Sequence, residues 1–280
     1  MKKRRNGRVV PRPFLKWAGG KGQLVEQLLE LAPARFRAYH EPFLGGGALF
    51  FALARQDRLA DKAVYLSDIN GELVATWQAV RDDVRAVIRN LSRHRYDREY
   101  YYQVRDQDPA KLSPPRLAAR MIFLNRTGFN GLYRVNSKGK FNVPFGRYKN
   151  PLICDRENLE AVSLSLRRVE IHHESFEAVL QRAKKGDFVY FDPPYVPVSD
   201  TANFVGYAKD GFSALDQERL AEVFAKLAGR GVRVMLSNSD TPRVKKLYSG
   251  FRMVRVLANR LVNTRADRRG PVGELVVLSW

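Results

Sequence analysis

Two kinds of hydrophobic pattern alternate towards both ends of this chain. Apolar residues at helical spacing over 22–31 predict a helix that Pro33 ends. Near 41–51 a short strand is expected to enter a glycine turn that opens a helix, and a helix is predicted near 176–182. A capping box at 213–216 predicts the start of a long amphipathic helix that reaches Leu227. Further apolar runs predict strands at 63–67, 168–172, 187–192, 232–237, 251–258 and 274–280.

The middle of the chain has a different pattern. From about Gly71 to Arg126 it is helical, with a proline-marked break at 109–115, and a loop-rich stretch follows. Strands that alternate with helices on both sides of such an insert are typical of an α/β fold with a parallel sheet. We therefore predict one domain from residues 1–70 and 155–280, interrupted by a second domain at 71–154.

Composition limits the class of protein. The 280 residues are 45% hydrophobic, so most of the chain can bury a core and is not disordered. Membrane spans and signal peptides need long apolar runs, which are absent, and we expect a cytoplasmic protein. Cys154 is the only cysteine and the four histidines are scattered, which excludes a disulfide framework and argues against a metal site.

The net charge of +20 is concentrated in three stretches. Residues 1–25 and 109–154 contain basic residues and no acid, and 243–269 holds nine basic residues against Asp267. A polyanion, above all nucleic acid, is the expected partner, with a solvated basic surface as the alternative. In the second stretch aromatic residues and asparagines stand between the basic residues, a mixture that suits contact with bases, although the aromatics could equally pack a small core.

A glycine turn and a carboxylate indicate a nucleotide-type cofactor. Gly45–Gly47 follow a predicted strand, and Asp68 ends the next strand, 21 residues after Gly47. From this position a carboxylate accepts hydrogen bonds from ribose hydroxyls, while the glycines allow close approach of the backbone. Neither a dinucleotide fingerprint nor a nucleoside-triphosphate loop is present, and a purely structural turn stays an alternative.

The sharpest motif is Asp192-Pro193-Pro194-Tyr195, directly after the apolar run 188–191. The prolines remove two backbone N–H groups and fix an extended path, which leaves the Asp192 carboxylate and the Pro193 carbonyl as acceptors beside an aromatic face. An exocyclic amine carries two N–H donors and lies next to a π face. The motif therefore predicts activation of such an amine towards an electrophile, with a proline-rich structural turn as the alternative.

Five segments in this order resemble the Dam-like (D12 class) DNA adenine-N6 methyltransferases. They are F-L-K-W-A-G-G-K from Phe14, E-P-F-L-G-G-G from Glu41, S-D-I-N from Ser67, the run from Asn125 to Tyr148, and D-P-P-Y from Asp192. The resemblance implies a Rossmann-like S-adenosylmethionine-dependent methyltransferase sheet with an inserted, mainly helical DNA-recognition domain. It also implies base flipping of the target adenine in duplex DNA.

The resemblance also implies site residues. Asp192, Pro193 and Tyr195 are expected to be catalytic, with S-adenosylmethionine as methyl donor and no metal. The expected cofactor-binding residues are Trp17, Lys21, Phe43, Gly45, Gly47, Asp68, Ser175, Phe176 and Asp192. The expected DNA-binding residues are Lys16, Arg126, Phe129, Asn130, Leu132, Arg134, Asn142 and Pro144. Because Lys16, Leu132, Arg134 and Pro144 match the family's G-A-T-C readers, that site is the expected target.

Several alternatives and departures accompany this interpretation. Phe129 stands where a tyrosine is common, and the stretch 196–211 is long and has its own aromatics. A cytosine-ring methyltransferase is set aside because Cys154 lacks the preceding proline. A non-catalytic DNA-binding protein, a different site and an RNA substrate stay open. We expect a monomer in a bacterial or phage-like, nucleoid-associated setting, with a restriction endonuclease as a candidate partner.

Overall fold

A computed structural model describes residues 4–5, 7–17, 19–22, 24–196, 212–258 and 272–280 of the chain. A short antiparallel pair, β1 (Arg4–Arg5) and β2 (Arg8–Val9), precedes a seven-stranded sheet. The strands of that sheet are β3 (Ala38–Glu41), β4 (Ala63–Asp68), β5 (Val169–His173), β6 (Phe188–Phe191), β7 (Arg233–Ser239), β8 (Arg252–Ala258) and β9 (Val272–Leu278).

The order of the strands in the sheet is β5-β4-β3-β6-β7-β9-β8. The strands β3 to β7 pair in parallel, whereas β9 lies antiparallel between β7 and β8. At the centre, all four residues of β6 are buried, because helices cover both faces of the sheet there. The α/β fold with a Rossmann-like sheet is confirmed, and β9 is the strand that runs against the others.

Helices connect the strands. They are α1 (Val25–Leu31), α2 (Ala48–Arg55), α3 (Gly71–Asp82), α4 (Val84–Leu91), α5 (Arg98–Arg105), α6 (Pro114–Thr127), α7 (Arg156–Leu166), α8 (Val179–Arg182), α9 (Ala214–Gly229) and α10 (Pro242–Leu247). The predicted helices are confirmed, while α7 and α10 were not predicted. None of the helices described is long and apolar enough to cross a membrane.

Side-chain caps determine where several helices begin. Asn70 accepts a hydrogen bond from the Leu73 amide to start α3, and Asp83 and Asp97 cap α4 and α5 in the same way. Ser213 and Asp216 form the predicted capping box of α9. The helical middle of the chain is therefore divided at capping residues as well as at the prolines.

The sheet and the predicted insert share one hydrophobic core. That core includes Leu66 of the sheet, Trp77 of α3, Phe123 of α6 and Val143 of the following loop. A second core, on the other face of the sheet, is formed with α9 and α10. On α3, Gln78 donates to the Ile171 carbonyl of β5 at 2.8 Å, so the first helix of the insert is anchored to the sheet. The boundary at residue 71 stays a prediction.

Candidate active site

Three neighbouring strands bring the predicted motifs to one edge of the sheet. The strand β3 ends at Glu41, β4 ends at Asp68, and Asp192 directly follows β6. These strands are adjacent in the order β4-β3-β6. Because the carboxyl ends of parallel strands lie at the same edge, the glycine turn, Asp68 and the Asp-Pro-Pro-Tyr motif surround one crevice.

The glycine turn between β3 and α2 needs its glycines for space and for conformation. Gly45 and Gly47 have φ values of +46° and +65°, which favour glycine. A Cβ atom at Gly45 would lie 2.7 Å from Cδ1 of Trp17, and one at Gly47 would lie 2.6 Å from Cη2 of Trp77. The backbone of the turn is thus packed directly against two indole rings.

Glu41 replaces the missing cap of α2. Gly47 is the N-cap residue and has no side chain, and the Phe50 amide in the first turn bonds to Glu41 instead. Tyr39 donates its hydroxyl to Glu41 Oε2 at 2.8 Å. Burial raises the pKa of Glu41 to about 8, and the nearby charge of Asp192 also raises it. Glu41 opens the E-P-F-L-G-G-G segment, but the sequence did not indicate this role as a cap.

Asp68 is held by backbone amides at the end of β4. Its Oδ2 accepts from the Gly45 amide at 3.1 Å and its Oδ1 from the Asn70 amide at 3.0 Å. Burial raises the pKa of Asp68, whereas these hydrogen bonds lower it. The carboxylate is therefore fixed relative to the glycine turn, as a group that binds a ligand's hydroxyls requires.

Lys21 and Asp192 form an ion pair in the crevice. Lys21 is 4% exposed, and its Nζ lies 2.7 Å from Asp192 Oδ1 and donates to the Gly19 carbonyl at 2.7 Å. The same ammonium lies 4.6 Å from the centre of the Tyr195 ring. Burial raises the pKa of Asp192, while the positive charge of Lys21 lowers it. The first and last of the five segments thus meet at this pair.

The Asp-Pro-Pro-Tyr segment is clamped by residues that the sequence did not indicate. Gln217 of α9 donates to the Pro194 carbonyl at 2.9 Å, and Tyr195 donates its hydroxyl to Glu274 Oε2 of β9 at 2.5 Å. No donor from the described residues reaches the Pro193 carbonyl. The clamp therefore leaves the Pro193 oxygen open to a ligand, beside the Asp192 carboxylate that pairs with Lys21.

Aromatic side chains form another wall of the crevice. Phe43 stacks on Phe176 with the ring centres 5.5 Å apart, and Phe212 packs edge-on against Phe43 at 5.7 Å. Ser175 precedes Phe176 in the loop after β5, whose Glu174 amide donates to the Asp68 carbonyl at 3.2 Å. The three predicted residues of this wall are thus next to Asp68.

The N-terminal motif connects the crevice to the insert. Asn125 of α6 accepts from the Lys16 amide at 2.7 Å and donates to the Lys16 carbonyl at 2.6 Å. Next to it, the Trp17 ring stacks on Tyr133 with centres 5.4 Å apart, and Tyr133 hydrogen-bonds Asn70. A continuous set of contacts therefore runs from the insert to Asp68.

The predicted DNA-binding residues lie in the loops that follow α6. Phe129, Asn130, Arg134 and Pro144 are exposed, and Leu132 and Asn142 are half-buried. Arg134 donates from Nε to Asn142 Oδ1 at 2.8 Å, which fixes the direction of its guanidinium. Asn130 has a φ of +53° in a tight turn, so its side chain is presented by a strained backbone.

Lys16 and Arg126 have further protein contacts. Lys16 is exposed, packs across Gly131, and places its Nζ 4.7 Å from the centre of the Tyr148 ring. Arg126 donates from Nη2 to the Phe14 carbonyl at 2.8 Å, and burial lowers its pKa. Arg126 thus fastens the N-terminal motif to α6, and a DNA contact from it stays a prediction.

Two further expectations concern a metal site and the stretch 196–211. Among the residues described, no three His, Cys, Asp or Glu side chains are grouped so that they could hold a metal ion. The stretch 196–211, whose aromatics we noted, lies outside the described residues except for Val196.

Comparison with known proteins identifies the family. The sequence profile of the D12 class N6 adenine-specific DNA methyltransferases matches residues 17–261. The chain is 43% identical to the type II methyltransferase M1.LlaDCHI of Lactococcus lactis subsp. cremoris, covering 96% of this chain and 95% of the relative. It is 42% identical to the type II methyltransferase M.MjaIII of Methanocaldococcus jannaschii (96% and 99% covered) and 37% identical to a DNA adenine methylase of Vibrio cholerae (95% and 95% covered). The chain therefore belongs to the D12 class of N6 adenine-specific DNA methyltransferases, and it is an enzyme whose substrate is DNA.

Proposed function

We propose that this enzyme transfers a methyl group from S-adenosylmethionine to the N6 amine of adenine within G-A-T-C in duplex DNA. The observation that carries the proposal is the Asp192 carboxylate, paired with buried Lys21 beside the Tyr195 ring, in a crevice next to an exposed basic insert. Asp192, Pro193 and Tyr195 are the proposed catalytic residues.

The crevice fits the cofactor. Asp68, anchored to the Gly45 amide of the glycine turn, offers a fixed carboxylate for ribose hydroxyls, and the Phe43–Phe176 stack offers an apolar face for an adenine ring. Gly45 and Gly47 of that turn are the proposed backbone contacts to the cofactor. Trp17, Lys21 and Ser175 complete the proposed cofactor-binding set. When bound, S-adenosylmethionine supplies an electrophilic methyl group on a positively charged sulfur.

In the proposed reaction the amine of a flipped adenine donates one hydrogen bond to Asp192 and one to the Pro193 carbonyl. These acceptors orient the nitrogen lone pair and increase its electron density. With the donor bound, this nitrogen would take over the methyl group from the sulfur, and Asp192 or water would accept the proton that the nitrogen then loses. Tyr195 holds the flipped base by stacking on it. Only the ionised form of Asp192 offers both carboxylate oxygens as hydrogen-bond acceptors.

Removal of the Lys21 charge should move the pH profile. In Lys21→Met the carboxylate of Asp192 loses the positive charge that lowers its pKa, so this pKa rises further above its usual value. Because ionised Asp192 is the active form, the acidic limb of kcat/KM against pH should shift to higher pH. Lys226→Met, at an exposed position on α9, is the matched control. If the acidic limb of kcat/KM lay at the same pH in Lys21→Met and in the wild type, the proposed effect of Lys21 on the pKa of Asp192 would be contradicted.

The Tyr195–Glu274 hydrogen bond should position the stacking ring. Tyr195→Phe and Glu274→Ala each remove this bond, and we expect each to lower kcat about 5- to 30-fold, as for the loss of a buried hydrogen bond worth about 1–2 kcal/mol. The double variant should be no worse than either single variant, and Glu274→Gln, which keeps an acceptor, should restore most of kcat. Additive losses in steady-state kinetics would mean that the two residues act separately.

The exposed loops after α6 are the proposed reading surface. We propose contacts to the duplex from Lys16, Arg126, Phe129, Asn130, Leu132, Arg134, Asn142 and Pro144, with Phe129 and Asn130 beside the flipped base. Arg134, oriented by Asn142, has the geometry to pair with a guanine.

Arg134→Ala should therefore relax discrimination at one base pair by about 1–3 kcal/mol. The measurement is a competition between cognate duplexes and duplexes changed at one position. Asn142→Ala should give part of the same loss, since it releases the guanidinium. Equal discrimination by Arg134→Ala and the wild type at every position would exclude Arg134 as a guanine reader.

Methyl transfer from labelled S-adenosylmethionine to a panel of unmethylated duplexes tests the whole proposal. We expect N6-methyladenine confined to G-A-T-C when the product is mapped base by base. Methyladenine at another short site would overturn the assignment of the base readers and keep the chemistry. No transfer to any duplex would overturn the proposed donor and reaction.

The organisation and setting of the enzyme are proposals as well. We propose that residues 1–70 and 155–280 bind the cofactor, that 71–154 recognise the target, and that α3 serves both units. A monomer suffices for one strand at a time, and the cytoplasmic nucleoid is the proposed location. Because two relatives are named type II methyltransferases, a restriction endonuclease is the proposed functional partner.

A further inference from the structure

The edge of the sheet opposite the active site is strongly basic. Pairs of exposed basic residues precede three strands of the parallel part: Arg35 with Arg37 before β3, Arg167 with Arg168 before β5, and Lys184 with Lys185 before β6. Arg230 and Arg233 follow at the start of β7, and Arg252 opens β8. In the loop before β4, the acidic residues Asp57 and Asp61 balance the basic charges. We call this the amino-edge surface.

The basic side chains of the amino-edge surface have no carboxylate partner among the residues that the structure describes: none of those just named forms an ion pair there. Arg233 donates to the Arg35 carbonyl and Arg230 to the Leu180 carbonyl at 2.7 Å, so the acceptors of these two guanidinium groups are uncharged carbonyls. Asp187 is buried, where it bonds to His40 and to the Lys184 amide.

Backbone contacts join the central loops of this surface into one unit. The Arg37 amide donates to the Gly186 carbonyl, and the Gly186 amide donates to the Gly231 carbonyl, both at 3.0 Å. A cavity of about 430 Å³ opens between them and is lined in part by Arg37, Lys184 and Asp187. The basic groups therefore stand on a rigid edge rather than on independent loops.

The size of the surface matches a nucleic-acid duplex. Six strand spacings of about 4.8 Å separate β5 from β8, so the basic groups extend across roughly 29 Å. One turn of duplex DNA is about 34 Å long and carries one phosphate charge per about 1.7 Å. The parallel strands, four to seven residues and so roughly 13–23 Å long, separate this surface from the catalytic crevice.

We propose that the amino-edge surface binds the phosphate backbone of a second duplex segment while the first occupies the catalytic edge. The chain already acts on DNA, so this polyanion is present at high local concentration wherever the enzyme works. The contact is sequence-independent, since exposed Lys and Arg side chains on phosphates carry no base information. A bound enzyme can then pass from one DNA segment to another without release.

A bridging assay tests the proposal. Beads that carry a short duplex are loaded with the full-length protein at low salt and washed, and a second, fluorescent duplex of unrelated sequence is added. We expect the wild type to retain the second duplex. The variant with Arg35→Gln, Arg37→Gln, Lys184→Gln and Lys185→Gln should retain about tenfold less, and its salt dependence should weaken by about 3 to 4 units of log–log slope.

The matched control changes four exposed basic residues on α9 and α10, outside the proposed recognition unit: Lys226→Gln, Arg243→Gln, Lys245→Gln and Lys246→Gln. The control changes the net charge by the same amount as the amino-edge variant, and we expect it to retain the second duplex as the wild type does. Methyl transfer to one short duplex by the amino-edge variant, expected within twofold of the wild type, shows that this variant is folded. Neither bridging nor its loss depends on the methyl donor or the target sequence, so the proposed function can fail independently.

Three results would overturn the proposal. The first is that the wild type retains no second duplex. The second is equal retention by the amino-edge variant and the wild type. The third is that sedimentation finds two protein copies in each bridged complex, because a dimer would then join the duplexes through two catalytic edges.

Discussion

Asp192→Ala should reduce single-turnover methyl transfer about a thousandfold or more, while affinity for duplex DNA stays at least as high as in the wild type. The variant removes the acceptor that orients the amine and leaves the buried ammonium of Lys21 without its carboxylate. Losing one preorganised polar group at a reacting centre commonly costs 10²–10³ in rate, and here a charge is lost as well.

Rapid-quench transfer to a short duplex gives the rate for this variant, and fluorescence anisotropy gives its DNA affinity. Asp192→Asn is the companion variant, because it keeps the shape of the side chain and removes the charge. Activity within tenfold of the wild type in Asp192→Ala would refute the mechanism. Loss of DNA binding together with activity would instead indicate misfolding, which the companion variant distinguishes.

Asp68→Ala should weaken binding of S-adenosylmethionine by about 100-fold or more. Two hydrogen bonds from ribose hydroxyls to a carboxylate contribute roughly 1.5–3 kcal/mol each, and 1.4 kcal/mol corresponds to a factor of ten in Kd. The variant also removes the acceptor of the Gly45 and Asn70 amides, so the glycine turn loses its anchor.

Calorimetric titration with S-adenosylmethionine measures this effect, and binding to an unmethylated duplex reports whether the protein is folded. Glu222→Gln, an exposed acid on α9 that pairs with Lys226, is the matched control and should bind the cofactor as the wild type does. A Kd within threefold of the wild type in Asp68→Ala would mean that this carboxylate does not hold the ribose.

The edge of the sheet that carries the active-site crevice was largely predictable, because patterns that are local in the sequence determine it. A buried apolar run ends at Asp68, another ends at Asp192, and residues that follow parallel strands meet at one edge. The resemblance assigned Trp17 to the cofactor pocket and Lys16 to base reading. Their contacts with the insert, through Tyr133 and Asn125, were not predicted. Apart from α7 and α10, the main helices and strands followed from hydrophobic period and caps, as the capping box at Ser213 illustrates.

Contacts between residues that are distant in the chain were not predictable from the sequence. Tyr195 and Glu274 are 79 residues apart, and nothing in an apolar strand marks one glutamate as the partner of one tyrosine. The antiparallel direction of β9 and the contact of Arg126 with Phe14 are similar cases. Hydrophobic patterning shows which side chains are buried, whereas strand order and helix docking decide which of them meet.

The distribution of charge shows most clearly the difference between what the sequence determines and what the tertiary structure determines. By itself, the sequence determined the fold class, the carboxylates at the strand ends and the basic insert, because these depend on neighbours along the chain. Only the tertiary structure decided where the remaining charge lies. Residues 155–240 are nearly balanced in sequence, yet folding places basic residues before β5, β6 and β7 on one edge. Successive loops alternate between the two edges of a parallel sheet, so charges that are mixed along the chain become separated in space.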